Sequence, residues 1–206
     1  MASDRSRTLA VVSFVDEAVA TLRAGRLAVI PTDTVYGLAA HLDSSGAVTA
    51  LFTAKGRPSV KPIPVLGADI EQLSDIAVFD DRARALAARF WPGPLTLILP
   101  RAEGFDADLG GDERRTVGVR VPKQPRALEI LRATGPLAVT SANRSGATEA
   151  VTVEEARAIF GDEVGAYVDG GRCVGVPSTI VFLVGERRLL REGPIPSAQV
   201  FQILSE

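Results

Sequence analysis

A single cysteine, Cys173, and a single histidine, His41, stand among the 206 residues. One cysteine excludes an intrachain disulfide, and one of each cannot furnish a typical zinc site, so any metal would be held by oxygens and by substrate. The two signs of charge nearly balance: 23 Lys plus Arg against 25 Asp plus Glu give a formal charge of -2. That balance builds in no bulk attraction to phosphate backbones, although a local basic groove remains open. Nowhere do about eighteen apolar residues run together, and the N-terminal MASDRSRTLAVVSF has too short an apolar run for a secretory signal. A soluble, cytoplasmic chain without a membrane partner is expected. Also missing are a GxSxG elbow, a paired-carboxylate signature, a P-loop lysine motif and a Rossmann glycine fingerprint, which weakens the case for a hydrolase, glycosidase or dehydrogenase.

What is present suffices for one good core: 46% of the residues are hydrophobic and 23% charged, so residues 1–206 read as one domain. The stretch Leu27 to Ala40, LAVIPTDTVYGLAA, organises the rest. Leu27 to Ile30 read as a short buried strand that Pro31 ends, because proline cannot donate to a ladder. Thr32, Asp33, Thr34 and Tyr36 then crowd hydroxyls and a carboxylate into a loop relieved by Gly37, either a polar turn or a ligand loop.

Before it, Asp16 is placed to cap a helix through about Ala24, with Gly25 as its stop. After it, Ser45 begins a helix ending at Lys55 and Gly56, followed by AKGRPSVKPIPVL and a strand from Ile63 to Leu66. Lys55, Arg57 and Lys61 put three cations into seven residues, which suits either a solvated turn or a polyphosphate grip. Asp80 starts a helix through Phe90, broken by Trp91-Pro92-Gly93-Pro94 before a strand from Leu95 to Leu99; Trp91 reads as a packing anchor. Arg101 to Arg115, rich in Gly and Asp, reads as a mobile loop and a candidate lid. In TVGVRVP, Val117, Val119 and Val121 share one face while Gly118 and Arg120 share the other. A guanidinium in such a strand is either salt-bridged internally or placed for a ligand carboxylate or phosphate.

Gln124 to Ala133 form a further helix, and the strand Leu137 to Thr140 runs into SANRSG, whose Ser141, Asn143 and Ser145 lie just past a strand's carboxyl end, where α/β sheets bind ligands. Thr152 and Glu155 form a capping box for a helix to Phe160, and a strand follows at Ala166 to Val168. PSTIVFLV and RRLLREG make a closing hairpin around Gly185, and Ser197 caps a last helix. Strands and helices alternate until that hairpin, which predicts an α/β fold: a twisted mixed sheet flanked by helices. His41 reads as a boundary residue and Cys173 as a small packed one.

Thr34, Lys55, Arg57, Lys61, Thr116, Arg120, Ser141, Asn143, Ser178 and Arg191 all fall at predicted strand ends or loops. They are cations, hydroxyls and an amide, a set that suits anionic substrates. Transfer at phosphorus needs chiefly positioning and charge neutralisation, so such a site suffices if Mg²⁺ arrives with a nucleotide.

The phrases PTDTVYGLAA, AKGRP, FWPGPLTLILP, TVGVRVP, TSANRSG, PSTIV and LLREG, in that order over about residues 26 to 194, closely resemble the YrdC/Sua5 family of L-threonylcarbamoyladenylate synthases. The resemblance implies a YrdC-like sheet with a concave ligand-binding surface. It also implies a reaction that joins L-threonine, bicarbonate and ATP into threonylcarbamoyl-AMP and pyrophosphate. Transferase proteins of the t⁶A pathway would then pass the threonylcarbamoyl group to adenosine 37 of tRNA, with a weak tRNA contact by this chain as a further expectation. At matching positions, Thr34, Arg120, Ser141 and Ser178 would hold threonine, with Arg120 on its carboxylate. Lys55, Arg57, Lys61, Thr116, Asn143 and Arg191 would hold ATP and its Mg²⁺, and Lys55 and Arg57 would spread the developing charge.

The chain departs from the family at three places. Lys61 and Leu66 stand where many members have Asn and His, and Glu149, Ala150 and Val151 replace a Ser-Pro-Thr, so no ATP contact is carried over there. Ending soon after LLREG, it resembles the short form without the C-terminal domain of the long Sua5 proteins. Two rival readings are a double-stranded RNA or tRNA-binding module and a paralogue making a carbamoyl-adenylate for another acceptor.

Overall fold

The computed structural model describes residues 13–56, 58, 60–111 and 114–205. In chain order the elements are α1 (Phe14–Arg23), β1 (Ala28–Ile30), β2 (Gly37–His41), α2 (Ser45–Lys55), β3 (Val65–Leu66), α3 (Ile70–Ser74), α4 (Asp81–Phe90), β4 (Leu95–Pro100), β5 (Thr116–Arg120), α5 (Pro125–Thr134), β6 (Leu137–Ser141), α6 (Val153–Phe160), a 3₁₀ turn (Gly161–Glu163), β7 (Ala166–Tyr167), β8 (Thr179–Phe182), β9 (Arg188–Arg191) and α7 (Ser197–Ser205). The strands form one nine-stranded sheet in the order β7-β1-β2-β6-β3-β5-β4-β8-β9. β1/β7, β3/β5 and β4/β8 run parallel and the other pairs antiparallel, so the sheet is mixed as expected.

Alternation along the strands builds two cores. Val29, Leu38 and Ala40 enter a large core with α2, while Ala28, Ile30 and Ala39 enter a smaller one under α1 and α5. Farther along, Leu95, Leu97, Leu99, Val117, Val119 and Val181 all point to the large core. Their neighbours Thr96, Ile98, Thr116, Gly118, Arg120, Ile180 and Phe182 therefore face the other way, where they line a groove. The groove thus lies on the uncovered side of β5, β4 and β8, and not simply along a row of strand ends.

Local chemistry moves several expected boundaries. Ser13 caps α1, and Asp16 is its partner in a capping box. Ser44, not Ser45, caps α2, and Gly56 ends it at φ 60°. Thr152 caps α6, but the Glu155 carboxylate takes the Val151 N–H at 2.7 Å, completing the cap one residue farther out. Ser197 is the first residue of α7, and its N–H is met by Glu192 at 3.0 Å. The strand expected from Ile63 shrinks to Val65–Leu66, because the Ile63 N–H turns away to the Leu109 carbonyl at 2.8 Å. That bond, with Leu109 fully buried and Arg101 holding the carbonyls of Ala107 and Thr116, ties the described part of the Arg101 to Arg115 loop to the body of the sheet. Trp91 anchors as expected, edge-on to Phe79 at 6.0 Å, with its indole N–H on the Leu95 carbonyl. Among the described residues no helix is long and apolar enough to cross a membrane.

Candidate functional site

The turn between β1 and β2 is built by Thr32. Its hydroxyl donates to the Val35 carbonyl at 2.6 Å, accepts the N–H groups of Thr34 and Val35, and lies 3.0 Å from Thr34 Oγ1, which fixes the Thr34 side chain at the groove wall. Outside support comes from the chain that passes over it: Gly175 N–H reaches the Thr34 carbonyl at 2.8 Å, and the Cys173 thiol reaches the Thr32 carbonyl at 3.1 Å. Burial pushes the Cys173 thiol up in pKa, in keeping with a packing role. From below, the fully buried Tyr36 hydroxyl donates to the Gly171 carbonyl at 2.8 Å and accepts the Gly170 N–H.

Arg120 projects from β5 toward this turn. Its Nε donates to the Gly93 carbonyl at 3.0 Å, Nη1 to Thr34 Oγ1 at 3.0 Å, and Nη2 to Asp33 Oδ1 at 2.7 Å. Desolvation lowers its pKa and Asp33 opposes the shift, and an arginine so placed stays charged. Of the two alternatives open from sequence, the internal salt bridge is present, and the guanidinium still lines the groove. Across from it, Ser178 Oγ lies 2.8 Å from Thr96 Oγ1, while Arg191 donates to the Ser178 carbonyl at 2.9 Å and its hydroxyl at 3.2 Å. Burial also lowers the Arg191 pKa, with Glu149 opposing it.

Thr34, Thr116, Arg120, Ser141, Ser178 and Arg191 thus meet in one groove of about 440 Å³. Lys55 and Asn143 stand behind its wall. The Lys55 side chain is buried at 3% exposure, and its Nζ lies 2.6 Å from the Ser141 carbonyl, 3.1 Å from the Asn143 carbonyl and 2.5 Å from Asn143 Oδ1. It holds the SANRSG loop rather than opening onto the groove. Lys61 is exposed on the turn just before Pro62, a groove-lining residue, and Arg57 lies outside the described residues. Sequence reasoning gave three residues no role of their own. Thr96 is the lone polar residue in LTLILP, a signal that strand alternation could have exposed. Asp33 gave no such signal, since its partner is 87 residues away. Arg144 ties the SANRSG loop to α2 and α6 through the Ala54 carbonyl, the Ile159 carbonyl and the Glu163 carboxylate. Among the described residues no group of three or more His, Cys, Asp or Glu is placed to hold a metal. The groove's hydroxyls and guanidinium groups fit a Mg²⁺ carried on the phosphates of a nucleotide better than one held by protein ligands.

One face of the mixed sheet carries the large core, and the part of the other face left open over β5, β4 and β8 carries two guanidinium groups among hydroxyls, a lining that suits small anionic ligands. The chain belongs to the Sua5/YciO/YrdC family, whose description is "Telomere recombination" and which matches residues 20–193. It is 41% identical over 206 residues to the putative threonylcarbamoyl-AMP synthase of Mycobacterium tuberculosis, covering 98% of this chain and 93% of that one. Among solved structures it resembles Pyrococcus abyssi Sua5 complexed with L-threonine, at 36% identity and a TM-score of 0.88 over 93% of this chain and 57% of that one. Escherichia coli YciO is similar at 26% identity and a TM-score of 0.81, covering 88% of this chain and 90% of that one.

Proposed function

We propose that this chain is an L-threonylcarbamoyl-AMP synthase, working in the cytoplasm as one domain, which supplies the t⁶A modification of tRNA through partner transferases. The observation that carries the reading is the groove itself: Arg120, Thr34 and Ser178 face one space with Arg191 at its side, in a chain similar to a protein bound to L-threonine. Threonine's carboxylate would sit on Arg120, with Thr34, Ser141 and Ser178 supplying neutral donors and acceptors around the amino acid. Thr116 and Arg191, with Arg57 and Lys61, would meet ATP, and Asn143 would bear on it from behind the wall through Ser141. Lys55 would act mainly by fixing Ser141 and Asn143.

In the reaction, bicarbonate takes up a proton and gives carbon dioxide and water, and the neutral threonine amine adds to that carbon dioxide and loses a proton to water to give a carbamate. A carbamate oxygen attacks the α-phosphorus, the bond to the β-phosphate oxygen breaks, and pyrophosphate leaves. Mg²⁺ brought with ATP would shield the phosphate charge, while Arg57 and Arg191 stabilise the charge that develops. Because a carbamate readily loses carbon dioxide, exclusion of water favours the second step, and the Arg101 to Arg115 loop, joined to the groove wall through Ile63, would cover it. Unchanged protease sensitivity of that loop with all substrates bound would refute the cover.

Pyrophosphate release is the deciding experiment, with threonine and bicarbonate each present or omitted and serine as a comparison. Release that needs both threonine and bicarbonate is expected. Release indifferent to threonine would point to another acceptor, and intact ATP binding without release would return the chain to the class of binding modules.

A further inference from the structure

The residue behind Arg120 has no place in the chemistry described so far. Asp33 does not line the groove. Its Oδ1 accepts from Arg120 Nη2 at 2.7 Å and from the Lys123 N–H at 2.8 Å, while Oδ2 is buried without a hydrogen-bond partner. The two side chains are 7% and 14% exposed, so little water reaches the pair. Leaving a buried carboxylate oxygen unpaired is unfavourable, and a neutral amide could accept both of the bonds made by Oδ1. What the acid adds over an amide is its negative charge.

That charge acts on the guanidinium beside it. Nε is fixed by Gly93, Nη1 by Thr34 and Nη2 by Asp33, so Arg120 cannot swing, and two of its five N–H bonds remain for a ligand. A carboxylate entering the groove meets a guanidinium already half neutralised, with a second carboxylate directly behind it. We propose that Asp33 is a positioning residue acting through Arg120. It is a built-in counter-charge that holds the fork in place and keeps affinity for carboxylate ligands low enough for release. This rests on the reading that threonine's carboxylate sits on Arg120.

The test is calorimetric titration of the whole chain and of Asp33→Asn, with Asp33→Ser as a second neutral variant and Asp33→Glu as the control that keeps the charge. The ligands are L-threonine, L-threonine amide and inorganic phosphate. Removing a like charge roughly one guanidinium width away should tighten L-threonine binding about tenfold in both neutral variants, allowing for solvent screening. The amide should change less than about twofold, and Asp33→Glu should match the parent. Melting temperature without ligand should fall in the same neutral variants, so stability and affinity move in opposite directions. A merely structural role predicts weaker binding of threonine and amide alike; that result, or unchanged threonine affinity, overturns the proposal. Failure of the parent chain to bind threonine would refute the functional reading instead. Phosphate, as a simple anion for the guanidinium, still decides the role of Asp33: tighter binding in the neutral variants supports it and unchanged binding overturns it.

Discussion

Replacing Arg120 by methionine keeps the apolar stem and removes the charge, leaving Asp33 with the Lys123 N–H on Oδ1 and nothing on Oδ2. Breaking one side of a buried ion pair costs about 3–5 kcal/mol, and because the Asp33 side chain keeps 14% exposure the lower end applies, about 3 kcal/mol. For a chain of this size that corresponds to a fall in Tm of roughly 6–12 °C. The double variant Arg120→Met with Asp33→Asn removes the stranded charge and should recover about 2 kcal/mol in denaturant unfolding. Function should divide differently. Losing charge-assisted hydrogen bonds of about 1.5–3 kcal/mol each raises KM for threonine about a hundredfold, while ATP binding stays within about threefold. A stability loss below about 1 kcal/mol with no recovery in the double variant would refute the ion-pair reasoning. Equal loss of threonine and ATP use would refute the placement of threonine on Arg120.

Tyr36→Phe removes the hydroxyl that donates to Gly171 and accepts from Gly170, and should cost about 1–2 kcal/mol in equilibrium unfolding. Burial pushes the Tyr36 pKa up from 10.0 to about 12, so its stabilisation is full below pH 10 and is lost as pH rises toward 12. The parent chain should lose that increment across the alkaline window and the variant should not, a difference that circular dichroism melts at pH 9 to 12 would read. Glu163→Gln weakens the link to Arg144, whose side chain and that of Glu163 are 43% and 50% exposed, so solvent screening limits the loss to about 0.5 kcal/mol. Arg144 holds the Glu163 carboxyl below its usual pKa. The pair therefore stabilises above the ordinary glutamate range and fades as pH falls through the lowered value, so the two unfolding curves should merge in acid. A gap that widens in acid would contradict that assignment.

How far the sequence could be read depended on whether a feature was local. Helices with a strong cap and a clear stop, such as α2 before Gly56 and α4 after Asp80, stood within a residue of their predicted ends because capping is decided over three or four positions. β2 went unread: GLAAH has no β-branched residue, and its strand state is imposed by pairing with β1 and β6. Gly37 shows the same tertiary control, since a Cβ there would lie 2.6 Å from Val139 Cγ1, a neighbour more than a hundred residues away in the chain. Arg120 was legible as a charge needing an anion, but not which anion.

The alternation of TVGVRVP did more than mark a strand. It sent Val117, Val119 and Val121 to the core and Arg120 to the opposite face, and the same period in β4 and β8 put Thr96, Ile180 and Phe182 beside it. Once β5 pairs with β4 and β4 with β8, these residues share one face whatever the intervening loops do. The SANRSG and PTDTVYG turns close one end of that face because β6 and β2 pair with Ser141 opposite Gly37. Segments separated by more than a hundred residues therefore converge through register alone, and a one-residue slip of β5 would carry Arg120 into the core and a valine into the groove. The site is accordingly as stable as the sheet, and its polar residues depend on strand pairing more than on any one contact they make with each other.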